Sequence, residues 1–192
     1  MQDFINHLAS TYHFNNEAID SLQSNLRLLK YPKGTTIIPQ GTLNSSIYFI
    51  RKGVLRTFIL RNEEEITLWF SVPGDFELSP WCHIKGIPSQ YNITASSYCE
   101  VLELPHKFIQ KLSKESITFS HFLNDMYGDI ILKTGEILIA LASPRATDRY
   151  LSIMRRILEL FLSVPQKEVA RFLGITPQSL SRIRAQIKIL KI

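Results

Sequence analysis

The chain of 192 residues is 45% hydrophobic and 20% charged, which is typical of a soluble globular protein. No apolar run approaches the ~18 residues that a membrane-spanning helix needs, so we expect no membrane-embedded part. The net charge of +5 is uneven, because ten Lys and Arg oppose three acidic residues from Pro144 to Ile192, and the other 143 residues carry −2. A basic end of +7 on a slightly acidic body predicts contact with a polyanion.

The start of the chain, MQDFINHLASTYHF, has no basic segment followed by an apolar core. We therefore expect no secretory signal and a cytoplasmic location. The two cysteines, Cys82 and Cys99, lack the paired spacing of a zinc site, and we interpret them as reduced thiols. Helix is predicted over the first 25 residues from their apolar positions: Phe4, Ile5, Leu8, Ile19 and Leu22.

From about Leu26 to Leu104 the pattern changes to alternating apolar and polar residues, as in SIYFIRKGVLRTFILRNEEEITLWFSVPGD. The pairs Lys52-Gly53 and Asn62-Glu63 are turn signals between short β-rich runs. Short strands at this spacing predict an antiparallel β-barrel or jelly roll. We assign residues 1–115 to this barrel.

After Pro105, the segment FSHFLNDMYGDIILKTGEILIALA predicts a long helix. One apolar stripe runs along it: Phe119, Leu123, Met126, Ile130, Thr134, Ile137 and Leu141. Gly128 and Gly135 share a face, and each costs about 1 kcal/mol relative to alanine unless another helix packs closely there. We interpret residues 116–143 as a dimerisation helix with its seam over 116–142. Packing of the helix on its own barrel is the alternative.

A break at Ser143-Pro144 is expected before the next helix, SPRATDRYLSIMRRILELF, because proline disfavours helix in the residue before it. The terminal stretch QKEVARFLGITPQSLSRIR then predicts two short helices. Their inner faces and caps are assigned as follows: Val169, Ala170 and Leu173 buried, Gly174 in a left-handed C-cap, Thr176 as N-cap, Pro177 at the first helical position, and Leu180 and Ile183 facing back. This pattern predicts a helix-turn-helix within residues 144–192.

The second helix of such a unit enters the DNA major groove. Four outward residues near its start are predicted to contact bases: Gln178, Ser179, Ser181 and Arg182. Glutamine pairs bidentately with adenine and arginine with guanine. Four flanking cations are predicted to contact phosphates, which give affinity without sequence information: Lys167, Arg171, Arg184 and Lys188. An ordinary helical hairpin with a basic face is the alternative.

The order of barrel, long helix and helix-turn-helix resembles the Crp/Fnr superfamily of bacterial transcription regulators over nearly the entire chain. The resemblance is carried by YPKGTTIIPQGTLNSSIYFIRKGVLRTFI, VPGDF, CEVLELPHKFIQKL and the terminal stretch. It implies an α+β fold with a sensory barrel similar to cyclic-nucleotide-binding domains. It also implies a homodimer paired through the long helix and binding to double-stranded DNA at a two-fold symmetric site. Gln178 and Arg182 fall where family members read bases.

Relatives that bind cyclic nucleotides use a glutamate for the ribose and an arginine for the phosphate. Ungapped alignment from Gly74 puts Ser79 and Ser89 at these positions, and the chain has no arginine between Arg61 and Arg145. A buried phosphate without a cation loses about 1.5 to 3 kcal/mol. We therefore predict no response to cyclic AMP and an unknown effector. The degenerate pocket is assigned to four residues: Glu77, Ser79, Ser89 and Gln90.

The sequence offers few residues that could support another sensor or enzyme chemistry. Two isolated cysteines do not fit an iron–sulfur switch, and His83 or Cys82 beside Trp81 is the cluster to examine for a haem ligand. A cupin-like metal enzyme needs clustered ligands, whereas the histidines are scattered: His7, His13, His83, His106 and His121. We therefore expect no cofactor, no metal and no catalytic residues, so that the chain is not an enzyme.

A ligand-binding or interaction barrel without DNA binding is a further alternative. RNA polymerase is an expected partner if the regulator activates transcription, whereas repression needs only occupancy of the DNA. The chain ends at IKILKI, soon after the second helix, so phosphate contacts from a β-wing are not expected.

Overall fold

The computed structural model describes Ile5, residues 16–156 and residues 164–189. The predicted order of elements is observed there. The strands are β1 (Arg27–Tyr31), β2 (Thr36–Ile38), β3 (Ile47–Lys52), β4 (Leu55–Arg61), β5 (Glu64–Ser71), β6 (Phe76–Glu77), β7 (Asn92–Ala95) and β8 (Cys99–Leu104). The helices are α1 (Asn16–Gln23), α2 (His106–Glu115), α3 (Ile117–Leu141), α4 (Ala146–Arg156), α5 (Gln166–Phe172) and α6 (Pro177–Ile189), with a short π-helix over Trp81–Lys85. Most of the helix predicted before residue 16, and the end of the one predicted through Phe161, lie outside the described residues.

Two antiparallel four-stranded sheets face each other, in the strand orders β1-β8-β3-β6 and β2-β7-β4-β5. Their apposed faces bury a shared core because alternate residues of each strand point inward. Ile38, Ile50, Leu55, Ile93 and Val101 are at most 1% exposed in this core and come from both sheets. This arrangement confirms the antiparallel barrel or jelly roll predicted from the alternating pattern.

Both predicted turns are present. Asn62 and Glu63 have φ values of 53° and 64°, and Arg61 pairs with Glu64, so β4 and β5 are joined by a two-residue turn with positive φ at both central positions. Gly53 has φ 86°, and a Cβ built there lies 2.2 Å from the carbonyl oxygen of Tyr98. No larger residue fits at this position, so the chain reversal between β3 and β4 depends on glycine.

The long helix α3 begins at Ser116, whose Oγ accepts a hydrogen bond from the backbone N–H of Phe119 at 3.2 Å. Most of its predicted stripe points inward, but Thr134 is exposed. Phe119, Leu123 and Met126 are buried against the barrel and α2, whereas Ile137 packs with the terminal helices. One face of α3 is therefore covered by its own chain, as the alternative interpretation expected.

The terminal helices pack directly on the barrel. Helix α3 ends at Leu141 and α4 begins at Ala146, which is the break predicted at Ser143-Pro144. Val54 and Phe70 of the barrel belong to the same buried cluster as Ile153 of α4 and Val169 of α5. The barrel and the terminal helices thus share a hydrophobic core. Among the described residues, no helix is long and apolar enough to cross a membrane.

Candidate nucleic-acid interface

Helix α5 ends in a turn that has the hydrogen bonds of a Schellman motif. The N–H of Ile175 donates to the carbonyl of Ala170 at 3.0 Å, and the N–H of Gly174 donates to the carbonyl of Arg171 at 3.1 Å. Gly174 has φ 65°, the left-handed conformation that glycine adopts without cost. The predicted C-cap is therefore confirmed, and it sets the angle at which the chain leaves the first helix.

Helix α6 starts with the predicted cap. Thr176 Oγ1 accepts a hydrogen bond from the N–H of Ser179 at 3.1 Å, and Pro177 is the first helical residue. Leu180 is 0% and Ile183 is 7% exposed, and both pack on the inner side of α5. The two helices thus cross in the predicted helix-turn-helix, with the opposite face of α6 free to point outward.

The predicted base-contacting residues divide into two groups. Gln178, Ser181 and Arg182 are exposed on the outer face of the first turns of α6. Ser179 is half-buried, and its hydroxyl lies 3.0 Å from that of Thr176, so its side chain takes part in the N-terminal cap. The structure therefore presents one amide, one hydroxyl and one guanidinium on a single helical surface.

The predicted phosphate-contacting residues have different surroundings. Lys167 is exposed near the start of α5. Arg171 is 42% exposed, and its Nη1 lies 3.8 Å from Glu65 Oε2 of the barrel. Arg184 is half-buried and hydrogen-bonds the side chain of Tyr150, while Lys188 lies in the last turn of α6 and its side chain is outside the described residues.

Arg149 of α4 positions the helix-turn-helix, a role that could not be predicted from the sequence. Its Nε donates to the carbonyl of Leu173 at 2.9 Å, directly before the turn glycine. Its Nη1 donates to the carbonyls of Ser143 at 2.8 Å and Pro144 at 3.2 Å, in the break that follows α3. One guanidinium thus joins the end of the long helix to the turn of the helix-turn-helix. No local pattern identifies acceptors 24 residues away.

The predicted effector pocket is occupied by side chains of the barrel itself. Glu77 is 3% exposed, and its Oε2 accepts hydrogen bonds from Ser71 Oγ at 2.6 Å and Trp69 Nε1 at 3.0 Å. Burial raises the pKa of the Glu77 carboxyl, and these two donors oppose the shift. Glu77 therefore bridges the two sheets from within, and its carboxylate already has partners.

The other three pocket residues are not arranged around an open site. Ser79 is 0% exposed and its hydroxyl has no hydrogen-bond partner, whereas Ser89 donates to the carbonyl of Tyr91 at 2.8 Å. Gln90 is exposed and bonds the carbonyl of Pro88 at 3.1 Å. The ring of Tyr91 lies edge-on between two others, 5.1 Å from Trp69 and 5.1 Å from Trp81, and these rings fill the adjoining space.

The residues considered as haem ligands already have other partners. His83 Nδ1 lies 2.8 Å from the carbonyl of Ser45, and its Nε2 lies 2.6 Å from the hydroxyl of Tyr127 on α3. Burial lowers the pKa of His83, which favours the neutral ring. Cys82 is 1% exposed, and its Sγ lies 3.4 Å from the carbonyl of Thr42. Over the described ranges, no three His, Cys, Asp or Glu residues cluster as metal ligands.

The outer face of α3 combines glycines with exposed apolar side chains. Gly128 and Gly135 have no atom within 4 Å of an added Cβ. Beside them are four aliphatic residues between 64% and 74% exposed: Ile131, Leu132, Leu138 and Ile139. We call these six residues the α3 seam. Its exposure is unusual for a folded chain, since large apolar patches are normally covered by a partner.

Comparison with known proteins agrees with this architecture. Residues 28–116 match the family model of the cyclic nucleotide-binding domain. The chain is 25% identical to the transcriptional activator protein FnrA of Stutzerimonas stutzeri, over 87% of this chain and 72% of that protein.

Solved structures share the fold at low sequence identity. FixK2 from Bradyrhizobium japonicum has a TM-score of 0.72 at 17% identity, covering 87% of this chain and 86% of that one. A protein from Eubacterium rectale, described as a transcriptional regulator of the crp/fnr family, has a TM-score of 0.68 at 18% identity, with coverages of 92% and 85%. These findings confirm the resemblance seen in the sequence: residues 28–116 match the model of the cyclic nucleotide-binding domain, and the chain has the fold of the Crp/Fnr transcription regulators.

Proposed function

We propose that this chain is a dimeric, DNA-binding transcription regulator of the Crp/Fnr type that does not respond to cyclic AMP. The observation that carries the proposal is the outer face of α6, where Gln178, Ser181 and Arg182 are exposed while Leu180 and Ile183 are buried. Amide and guanidinium groups on one face of a helix pair with adenine and guanine edges in the major groove. Lys167 and Arg171 flank this face and supply the cations for phosphate contacts.

Dimerisation is supported by the α3 seam. A second copy of the helix laid against it covers the four exposed aliphatic side chains and uses the space open at Gly128 and Gly135. Without a Cβ, these glycines let two helix backbones approach closely. A two-fold axis through the seam presents two copies of α6, so the DNA site is expected to be a palindrome.

Insensitivity to cyclic AMP is supported by the barrel interior. Glu77 is committed to Trp69 and Ser71, the chain has no arginine between Arg61 and Arg145, and Lys85, near Ser89 in the sequence, is exposed. Arg56 is the buried arginine of the described barrel, but its Nη1 bonds Glu65 at 2.7 Å on the side that faces α5. A cyclic phosphate in the interior therefore has no guanidinium to pair with.

Selection of bound duplexes from a random pool at fixed salt tests DNA recognition. We expect a palindromic consensus, with Arg182→Ala weakening binding to it by about 5- to 150-fold, the range for one lost bidentate base contact. Arg27→Ala is the matched control, because the Arg27 side chain is 68% exposed on β1, in the sheet opposite to the one whose strands β4 and β5 pack on the terminal helices. Recovery of no consensus, or an equal effect of the two substitutions, contradicts the proposal.

Calorimetric titration with cyclic AMP tests the effector part separately. We expect no measurable heat of binding to the dimer. A micromolar dissociation constant contradicts this part and leaves the DNA-binding part intact, since the two sites share no residues.

A further inference from the structure

A cluster of polar contacts ties the helix-turn-helix to the barrel. We call it the interdomain clasp and define it by six residues: Arg56, Glu65, Thr67, Ser96, Glu168 and Arg171. Arg56 is 6% exposed, and its Nε donates to Thr67 Oγ1 at 2.9 Å. Ser96 Oγ donates to Glu168 Oε2 at 2.9 Å, and this oxygen lies 4.0 Å from Arg56 Nε. Arg56 of β4 and Ser96, directly after β7, thereby contact Glu168 of the first helix of the helix-turn-helix.

Glu65 is shared between two arginines of different burial. Its Oε2 lies 2.7 Å from Nη1 of the buried Arg56 and 3.8 Å from Nη1 of Arg171. Arg171 and Glu65 are 42% and 40% exposed, so this second contact lies at the solvent boundary. Directly after Arg171, Phe172 packs edge-on against Phe70 of β5 at 5.5 Å, which fixes this side of α5 on the barrel.

We propose that Glu65 competes with DNA phosphates for Arg171, so that the barrel restrains the DNA-binding helices of its own chain. The proposal rests on the proposed DNA binding. A carboxylate and a phosphate are both anions and repel each other, so Arg171 cannot pair closely with both at full strength. Each phosphate that approaches Arg171 must therefore displace Glu65 or tolerate its charge.

The size of the effect follows from the exposure of the contact. Ion pairs between half-exposed side chains are weak, and loss of the competitor is expected to tighten DNA binding about 1.5- to 5-fold. Glu65→Gln removes the charge and keeps a side-chain oxygen that accepts the hydrogen bond from Arg56. The buried Arg56 thus retains a hydrogen-bond partner in the variant. The midpoint of thermal unfolding checks that the Glu65→Gln variant is folded.

A double-mutant cycle isolates the competition. Dissociation constants are measured for the wild type, Glu65→Gln, Arg171→Gln and the double variant, on the duplex obtained by selection and over a range of salt. Glu64→Gln is the matched control, because Glu64 is the exposed neighbour and alternation along β5 points it to the other face. It removes the same formal charge without facing Arg171.

We expect Glu65→Gln to tighten binding more than Glu64→Gln, and we expect the gain to disappear when Arg171 is absent. Arg171→Gln alone should reduce the slope of log affinity against log salt by about 0.9, the value for one phosphate contact. Equal gains for the two glutamate variants, or a gain that persists without Arg171, overturn the competition while leaving DNA binding in place. Failure of every variant and of the wild type to bind any duplex overturns the proposed function and this inference together.

Discussion

Replacement of Arg149 by alanine is the sharpest test of how the helix-turn-helix is held. The substitution removes three hydrogen bonds, to the carbonyls of Leu173, Ser143 and Pro144. Leu173 is 1% exposed, so its carbonyl loses a charged donor where water has little access, at a cost of about 1.5 to 3 kcal/mol. The carbonyls of Ser143 and Pro144 lie nearer the surface and regain water. We therefore expect Arg149→Ala to lower the free energy of unfolding by about 2 kcal/mol.

Urea or thermal unfolding at a fixed protein concentration measures this loss, because dissociation of a dimer makes the midpoint depend on concentration. For a chain of this size, about 2 kcal/mol corresponds to a midpoint lowered by about 4 to 8 °C. The control is Arg145→Ala. The Arg145 side chain is 81% exposed, and its ion pair with Asp148 lies at the surface. The control should change stability by less than about 0.5 kcal/mol. Equal effects of the two substitutions refute the positioning role of Arg149.

Two further predictions follow from other parts of the molecule. The double variant Ile131→Glu and Leu138→Glu places two charges in the α3 seam and should convert a dimer to monomer in analytical ultracentrifugation. The single change Ile87→Glu, at a 46% exposed residue away from the seam, should leave the dimer intact. A dimer that survives the double substitution rules out the α3 seam as the interface. Burial raises the pKa of Glu77, so its contribution to stability is present below the unfolded pKa of about 4.3 and is lost as pH rises through the folded pKa. The glutamine of Glu77→Gln cannot ionise, so this variant does not lose stability in that way. The free energy of unfolding of the variant minus that of the wild type, measured by urea titration, should therefore increase from pH 4 to pH 7. A difference that does not change with pH contradicts the raised pKa of Glu77.

The helix-turn-helix was predictable in detail because its determinants are local. Gly174 and Thr176 act on backbone groups within a few residues, and each residue type has one strong reason to be there. The turn at Asn62-Glu63 was predictable for the same reason, since two polar residues between alternating runs favour a tight hairpin. Burial of Leu180 and Ile183 then followed from helical periodicity alone.

The contacts that connect distant segments were not predictable from spacing. Arg149 and Glu65 look like ordinary surface charges in the sequence, yet each joins segments that only the tertiary fold brings together. The sequence also assigned Ser179 to base contact, whereas its hydroxyl contributes to the cap of its own helix. Glu77 was assigned to the degenerate effector pocket, but its buried carboxylate accepts hydrogen bonds from Trp69 and Ser71 of β5.

The core that Val54 and Phe70 share with Ile153 and Val169 has a practical consequence for protein engineering. The terminal helices of this chain are therefore not an independent module joined to the barrel by a linker. A chimera that joins α4 to α6 to a foreign barrel must also carry over the surface of β4 and β5. Otherwise Phe172 loses its contact with Phe70 and becomes exposed. Barrel and terminal helices should consequently melt in a single cooperative transition, with neither surviving the loss of the other.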